Sequence, residues 1–329
     1  MPTFCRHNHL IQNCPICSRE QEIELRPIVS SSAPRSNLPR TPSRAGGGST
    51  RARTRGSSTA GGLRVRRLSR GTDDGYASPL APGLRSSADA QRLAEELAFA
   101  QARLSRLAAD PPGLYAEVAS AGDVEERAWL AFLIAYLGPL VGDDPFAAIS
   151  RVRTSWASGE LPALDEAETG PRSAHDANRG SRTLEAYRAW ASRAGSQAAA
   201  FTGEAAWTPE RRFDRVFERL ALPGLHREAR FDLLVTLGQL GVFELRAGAL
   251  KLGGNNEVTV AAKRALGIGD PLLLERRAAE LASACGLELA ALDLGLHNWE
   301  RGERLTLGLG PENEADPTAL QGASDALGL

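Results

Sequence analysis

Leu220-Ala221-Leu222-Pro223-Gly224-Leu225-His226-Arg227-Glu228-Ala229-Arg230 is the stretch on which the fold reading turns. Ahead of it, Arg212, Phe213, Val216, Phe217 and Leu220 share one side of a helical pattern that begins at Pro209. The pattern stops at Pro-Gly, and a second amphipathic segment starts at once on Arg227, Ala229, Leu233 and Leu234. Two helices joined by so tight a turn make a helix-hairpin-helix. The second helix then opens with unpaired N–H groups at the positive end of its dipole, which suits a phosphate. Gly224, Leu225, His226, Arg227 and Arg230 are therefore candidate contacts to a nucleic-acid backbone. An ordinary helical corner in an all-α protein has the same signature, and this stretch alone does not separate the two.

Working outward, every persistent pattern after Leu63 has a helical period. Ser86 to Ala109 carries Leu93, Leu97, Ala100, Leu104 and Leu107 on one face and stops at Asp110-Pro111-Pro112. Asp123 to Val141 is apolar almost all round, with Trp129, Leu130, Phe132, Leu133, Ile134, Tyr136 and Leu137, so it is expected as a central buried helix. Shorter helical patterns follow at Phe146–Trp156 and Arg182–Phe201, separated by a loop-like stretch from Leu161 to Gly180. Beyond the hairpin, a helical turn is expected within 243–250, then helices at Val258–Leu266, Leu273–Ala284 and Leu289–Glu300. No alternating strand pattern interrupts them, so the class is all-α.

The first seventy residues are a different kind of chain. They hold thirteen arginines and three glutamates, while the whole protein has a net charge of −1, so a basic arm precedes a comparably acidic remainder. Ser30 to Gly62 is rich in Ser, Pro, Gly and Arg and too poor in large apolar residues to bury a core. Upstream, Cys5-Arg6-His7 is followed by Cys14-Pro15-Ile16-Cys17. The Cys-x-x-Cys turn aims two thiolates at one ion, and Cys5 with His7, or His9 in its place, completes a tetrahedral Cys3His zinc site. Expected segments are a zinc knuckle at 1–20, a disordered linker at 21–62, the helical domain at 63–309 and a flexible tail at 310–329. No apolar run reaches membrane-spanning length and no signal-peptide layout opens the chain, which points to a cytoplasmic protein. The basic arm points to an anionic partner, nucleic acid before membrane.

A Pro-Gly hairpin, a short loop and a helix ending in Lys-Arg-x-Leu-Gly-Ile resemble DNA glycosylases of the endonuclease III type. That likeness implies a two-lobed helical fold that grips backbone phosphate and flips a base out of double-stranded DNA. The departures are chemical. His226 stands where a second glycine is usual, and no hairpin lysine is present, so imine chemistry there is excluded. Asn255, Asn256 and Glu257 occupy the loop where an aspartate is needed for base excision.

A narrower likeness spans Cys-x-His with Cys-Pro-Ile-Cys and the Arg-rich linker. It continues through Glu126-Arg127-Ala128-Trp129-Leu130-Ala131-Phe132-Leu133, Leu222-Pro223-Gly224, Ala262-Lys263-Arg264-Ala265-Leu266-Gly267-Ile268-Gly269-Asp270 and Leu294-Gly295-Leu296-His297-Asn298-Trp299. These motifs resemble the alpha-glutamyl/putrescinyl thymine pyrophosphorylases, clade 3. The resemblance implies displacement of pyrophosphate from a 5-hydroxymethyluracil derivative in DNA by a small amine. Two other outcomes stay open: a helix-hairpin-helix protein that binds DNA without catalysis, and base excision through Glu257.

That chemistry needs cations for the leaving group, a base for the amine and a flat surface for the pyrimidine. Lys263 and Arg264 meet the first need, with Arg227 and Arg230. Asp293 and His297, one helical turn apart, are expected as a carboxylate-oriented imidazole that takes the proton. Trp299 is the expected stacking surface, with Trp129 and Tyr136 as alternatives that the all-round apolar segment places rather in the core; Asn298 is the reader of the base edge, and Asn255 and Asn256 lie in the DNA-facing loop. Each has a plainer alternative. Asp293 and His297 can be a helix-surface pair, and Lys263 and Arg264 can be charges favoured at a helix C-terminus.

Overall fold

The computed structural model describes residues 71–120, 122–310 and 314–329. Residues Leu63–Leu329 form one unit and Met1–Gly62 another, and the second lies wholly outside the described residues, with Cys5, His7, Cys14, Cys17 and the linker. Twelve helices make up the regular structure of the described residues, and none of these residues is in a strand. They are α1 (Ser87–Ala109), α2 (Leu114–Ala119), α3 (Val124–Leu137), α4 (Ala147–Val152), α5 (Gly180–Arg193), α6 (Gln197–Thr202), α7 (Pro209–Arg219), α8 (Arg227–Gln239), α9 (Glu257–Leu266), α10 (Pro271–Ala284), α11 (Leu289–Arg301) and α12 (Pro317–Leu327). Among the described residues no helix is long and apolar enough to cross a membrane.

The helices gather around two centres. α3 is the first: Trp129, Phe132, Leu133, Ile134, Tyr136 and Leu137 are all buried, and α2, α4, α6 and α8 pack on it. Such a segment has no polar stripe to turn towards water, so it becomes the middle of a helical cluster. Asp123 caps it, accepting a hydrogen bond from the Glu125 backbone N–H at 3.0 Å. Trp129 and Tyr136 are part of this core; the Tyr187 ring stacks at 3.8 Å on Phe132 between them.

α1 and α11 form the second centre, with α9 and α12 packed on their flanks. Gly295 sets the crossing, because a Cβ there meets Leu97 Cδ2 at 2.7 Å and Leu97 Cα at 3.1 Å. Only hydrogen lets the two helices approach so closely. α8 also touches α1, so the two groups meet along α8.

Three expectations are corrected. The 243–250 segment is not helical; it is an irregular connection with bends after α8. The single pattern Arg182–Phe201 divides into α5 and α6 at Ala194-Gly195-Ser196, where Ser196 caps α6 through the Ala199 N–H. The expected tail at 310–329 contains α12, which buries Ala319, Ala323 and Leu327 against α1 and α10. Asp316 caps that helix and Pro317 occupies its first turn, a start signal that small residues downstream made easy to overlook.

Candidate functional site

Where α8 faces α11, four charged side chains converge in the interior. The Arg172 guanidinium donates from Nε to Asp232 Oδ2 at 2.8 Å and from Nη2 to Asp232 Oδ1 at 2.8 Å. The same Nη2 donates to Asp293 Oδ1 at 2.9 Å. Arg227, at the first position of α8, pairs with the other oxygen of Asp293, donates to the Leu250 carbonyl and stacks over Phe231 at 4.5 Å. Two positive and two negative groups thus balance, the condition under which charges survive burial.

Local structure explains how Arg172 reaches this point. The last turn of α3 leaves carbonyls without helical partners, and the 170–174 loop satisfies them. Gly170 N–H donates to Leu137 O at 2.9 Å, Ala174 N–H to Tyr136 O at 3.0 Å, and Ser173 Oγ to Tyr136 O at 3.0 Å. Gly170 is required there, since a Cβ meets Pro139 O at 2.0 Å. The loop is therefore clamped to the end of α3, and Arg172 projects from it into the gap between α8 and α11.

The four groups are not equivalent. The side chains of Arg172 and Asp293 are each 2% exposed, while that of Asp232 is 22% exposed. Burial, with the Asp293 charge adding to it, lifts the Asp232 carboxyl above its ordinary range despite the opposing pull of Arg172. Burial works against charge on Arg172, but Asp232 and Asp293 outweigh it and hold the guanidinium firmly protonated. Arg172 Nη1 is buried with no hydrogen-bond partner. Arg172, Asp232 and Asp293 line a cleft of about 40 Å³ together with Tyr115, Leu307 and Leu309. That space suits a few waters at roughly 10–15 Å³ each.

Of the expected catalytic residues, Asp293 belongs to this cluster, and among the described residues neither His297 nor Lys263 is hydrogen-bonded to it. His297 is 3% exposed, and neither ring nitrogen has a hydrogen-bond partner. The expected bond from Asp293 to the imidazole is absent because Arg172 and Arg227 occupy both carboxylate oxygens. Burial, reinforced by Arg172, Arg301 and Arg227, lowers the His297 pKa to about 2, so the ring is neutral and weakly basic. Lys263 sits half-buried in the last turn of α9, and among the described residues no hydrogen bond or ion pair joins it to the cluster.

The expected DNA contacts also separate. Trp299 is fully buried; its Nε1 donates to Asp89 O at 3.0 Å, and Arg264 stacks over its ring at 4.3 Å. Trp299 is a core residue rather than a platform, because its helix face meets α1. Arg264 also pairs with Glu300 at 3.2 Å and so serves this packing. Asn298 is buried and accepts from the Leu305 N–H at 3.3 Å, which commits its amide oxygen to the backbone. Asn255 is exposed, whereas Asn256 caps α9 by accepting from Thr259 N–H at 2.8 Å. Glu257 pairs with Arg301 at 3.3 Å.

The hairpin itself is a compact turn between α7 and α8. Gly224 has φ +78°, and a Cβ on it meets Thr183 Oγ1 at 2.4 Å; the same hydroxyl donates to Pro223 O at 2.9 Å. Leu225 is buried and His226 is exposed at the N-cap of α8, making no side-chain cap. Arg230 turns back to the Phe217 carbonyl at 3.2 Å and stacks on the Phe217 ring. Arg227 points inward to Asp293 instead of outward.

Sequence reasoning missed Arg172 and Asp232. Asp232 did carry a signal, a carboxylate set within the apolar run Phe231-Asp232-Leu233-Leu234. Arg172 carried none, because its role depends on a loop clamped to a helix distant in sequence. Among the described residues no group of three or more His, Cys, Asp or Glu side chains forms a metal site.

A family model described as alpha-glutamyl/putrescinyl thymine pyrophosphorylase clade 3 matches residues 171–302. No curated protein and no solved structure matches the chain. The matched segment opens beside Arg172 and closes just after α11, so it contains Arg172, Arg227, Asp232 and Asp293 and the whole hairpin. The Cys/His segment, the linker and the Glu126–Leu133 motif lie outside it. Residues 171–302 are thus similar to the alpha-glutamyl/putrescinyl thymine pyrophosphorylase family, clade 3, over about two fifths of the chain.

Proposed function

We propose that this protein is a DNA base-modifying transferase. In this reading, a small amine replaces pyrophosphate on the exocyclic carbon of a 5-hydroxymethyluracil derivative, with the charge cluster as the reaction centre. One observation carries it: the four converging charges, all inside the family match, come from three segments, the 170–174 loop, α8 and α11, and three of them line one cleft.

The balance of the step assigns the roles. A C–N bond forms as the C–O bond to pyrophosphate breaks, and the leaving group departs with the electron pair. The amine must shed a proton, and Asp232, the most accessible carboxylate of the cluster and one held above its ordinary pKa, is the acceptor. Arg172 Nη1 donates to a phosphate oxygen, since guanidinium forks match such oxygens. Asp293 and Arg227 position Arg172. The cluster replaces His297 and Lys263 in these roles.

The α7–hairpin–α8 unit is proposed to grip the backbone of double-stranded DNA in the manner of a helix-hairpin-helix glycosylase, with Gly224, Leu225 and His226 at the contact. Cys5, His7, Cys14 and Cys17 are proposed to hold a structural zinc ion, which supplies folding energy to a loop too short for a core.

The test is direct. The full-length protein is incubated with an amine and duplex DNA carrying pyrophosphorylated 5-hydroxymethyluracil, and the base is followed by mass spectrometry. An amine-bearing base that disappears with Asp232→Asn supports the reading. A free base or an unmodified product overturns it.

A further inference from the structure

A cleft of about 40 Å³ cannot hold a nucleobase, yet it is lined by the most unusual polar groups of the molecule. Just beyond it lies a hollow of about 620 Å³, lined by Arg106, Pro112, Val141, Asp144 and Phe146 among others. One short segment separates the two. Leu307 and Leu309 face the inner cleft, whereas Thr306, Gly308 and Gly310 face the outer hollow. The chain from Thr306 to Gly310 is thus a wall one residue thick, apolar inside and nearly free of side chains outside.

Its polar attachments are few, and Leu309, 1% exposed, is its main apolar anchor. Leu305 at its start is held by Asn298, through the N–H to Oδ1 bond at 3.3 Å. The Leu309 N–H donates to Thr306 O at 2.8 Å within the segment. Across the cleft, the Tyr115 hydroxyl donates to the Leu307 carbonyl at 3.1 Å. Leu307 has φ +51°, a left-handed conformation that leucine rarely adopts, so the closed position strains the backbone. Gly308 has φ +72° and lies against Phe146, where a Cβ meets Cζ at 2.8 Å.

We infer that Thr306–Gly310 is a strap latched by Tyr115, and that the ligand site of this protein is the inner cleft and outer hollow joined when the strap lifts. Strain at Leu307 and a single polar latch from the opposite wall favour release, which gives up the burial of Leu309 but leaves the contacts of α8 and α11 intact. Lifting removes Leu307 and Leu309 from the face of Asp232 and Arg172. The ligand class, a flat heterocycle of pyrimidine size on a nucleic acid, rests on the function proposed above; the strap itself does not.

Phenylglyoxal, a planar arginine reagent of similar size, tests both. The full-length protein is labelled and the rate at Arg172 is read by peptide mass spectrometry, alongside hydrogen exchange at the Leu309 amide. We expect slow labelling of Arg172 relative to exposed Arg179. Tyr115→Phe, which deletes the latch, and Gly308→Ala, which cannot seat against Phe146, are each expected to raise both rates at least fivefold without loss of fold. Unchanged rates in two folded variants overturn the strap, as does Arg172 labelling as fast as Arg179 in the unmodified protein. Protection of Arg172 by duplex DNA carrying the modified base is the separate arm: faster labelling in the variants without such protection keeps the strap and removes the DNA-base reading.

Discussion

Asp232 and Asp293 share one guanidinium nitrogen: Arg172 Nη2 lies 2.8 Å from Oδ1 of the first and 2.9 Å from Oδ1 of the second. The two carboxylates come from different helical groups, so this nitrogen ties α8 to α11. Both line the cleft, but the side chain of Asp232 is 22% exposed and that of Asp293 only 2%.

That asymmetry predicts different costs. Asp293→Ala leaves Arg172 and Arg227 short of a partner in the interior and is expected to destabilise the fold by about 3–5 kcal/mol, read from urea unfolding. Asp232→Asn keeps shape and some hydrogen bonding at a partly hydrated position, and is expected to cost less while abolishing transfer. Equal losses of stability would contradict the division into a structural and a reacting carboxylate.

His297 predicts the acid limb of the stability profile. Its folded pKa of about 2 lies below the ordinary 6.5, so the unfolded chain binds the proton first. The stability it contributes is complete above 6.5 and is lost as pH falls from there towards 2. Relative to His297→Leu, the natural protein should lose up to about 1.4 kcal/mol per pH unit below pH 6. Above pH 7 the leucine variant should be at least as stable, because both ring nitrogens lack partners in the natural fold. Parallel profiles for the two proteins would show that the imidazole is hydrated.

Trp299→Phe separates core from platform. Loss of the Nε1 bond to Asp89 O and of some packing should cost about 1–3 kcal/mol of stability while leaving DNA affinity within twofold. A selective loss of affinity at unchanged stability would restore the stacking role.

Gly224→Ala tests the hairpin. The positive φ and the 2.4 Å approach to Thr183 Oγ1 both oppose a methyl group, so a cost of about 1–3 kcal/mol is expected. Duplex DNA binding, followed across a salt series, should weaken with it if the turn is the backbone grip.

The zinc assignment predicts one metal ion per full-length chain by elemental analysis, and its loss in Cys14→Ser. A zinc content that the substitution leaves unchanged would remove the Cys3His site.

The helices were legible in the chain wherever one face carried the signal. Asp123 to Leu137 announces burial by having no polar face, and Pro209, Pro223-Gly224 and Asp270-Pro271 punctuate the chain where helices start or turn. Short or small-residue helices were not legible: α2 has too few turns to show a period, and α12 buries mainly alanine.

The sequence by itself determined the all-α class, the hairpin and the family likeness, because these rest on residues close together in the chain and on local backbone preference. Only the tertiary structure decided which polar residues form the site. Whether a charge on a helix meets water or another charge depends on which face its neighbours cover. Trp299 was therefore drawn into the core, and His297 sealed beside Asp293 without a bond. Arg172, inconspicuous in a loop, was brought to Asp232 by the unpaired carbonyls at the end of α3.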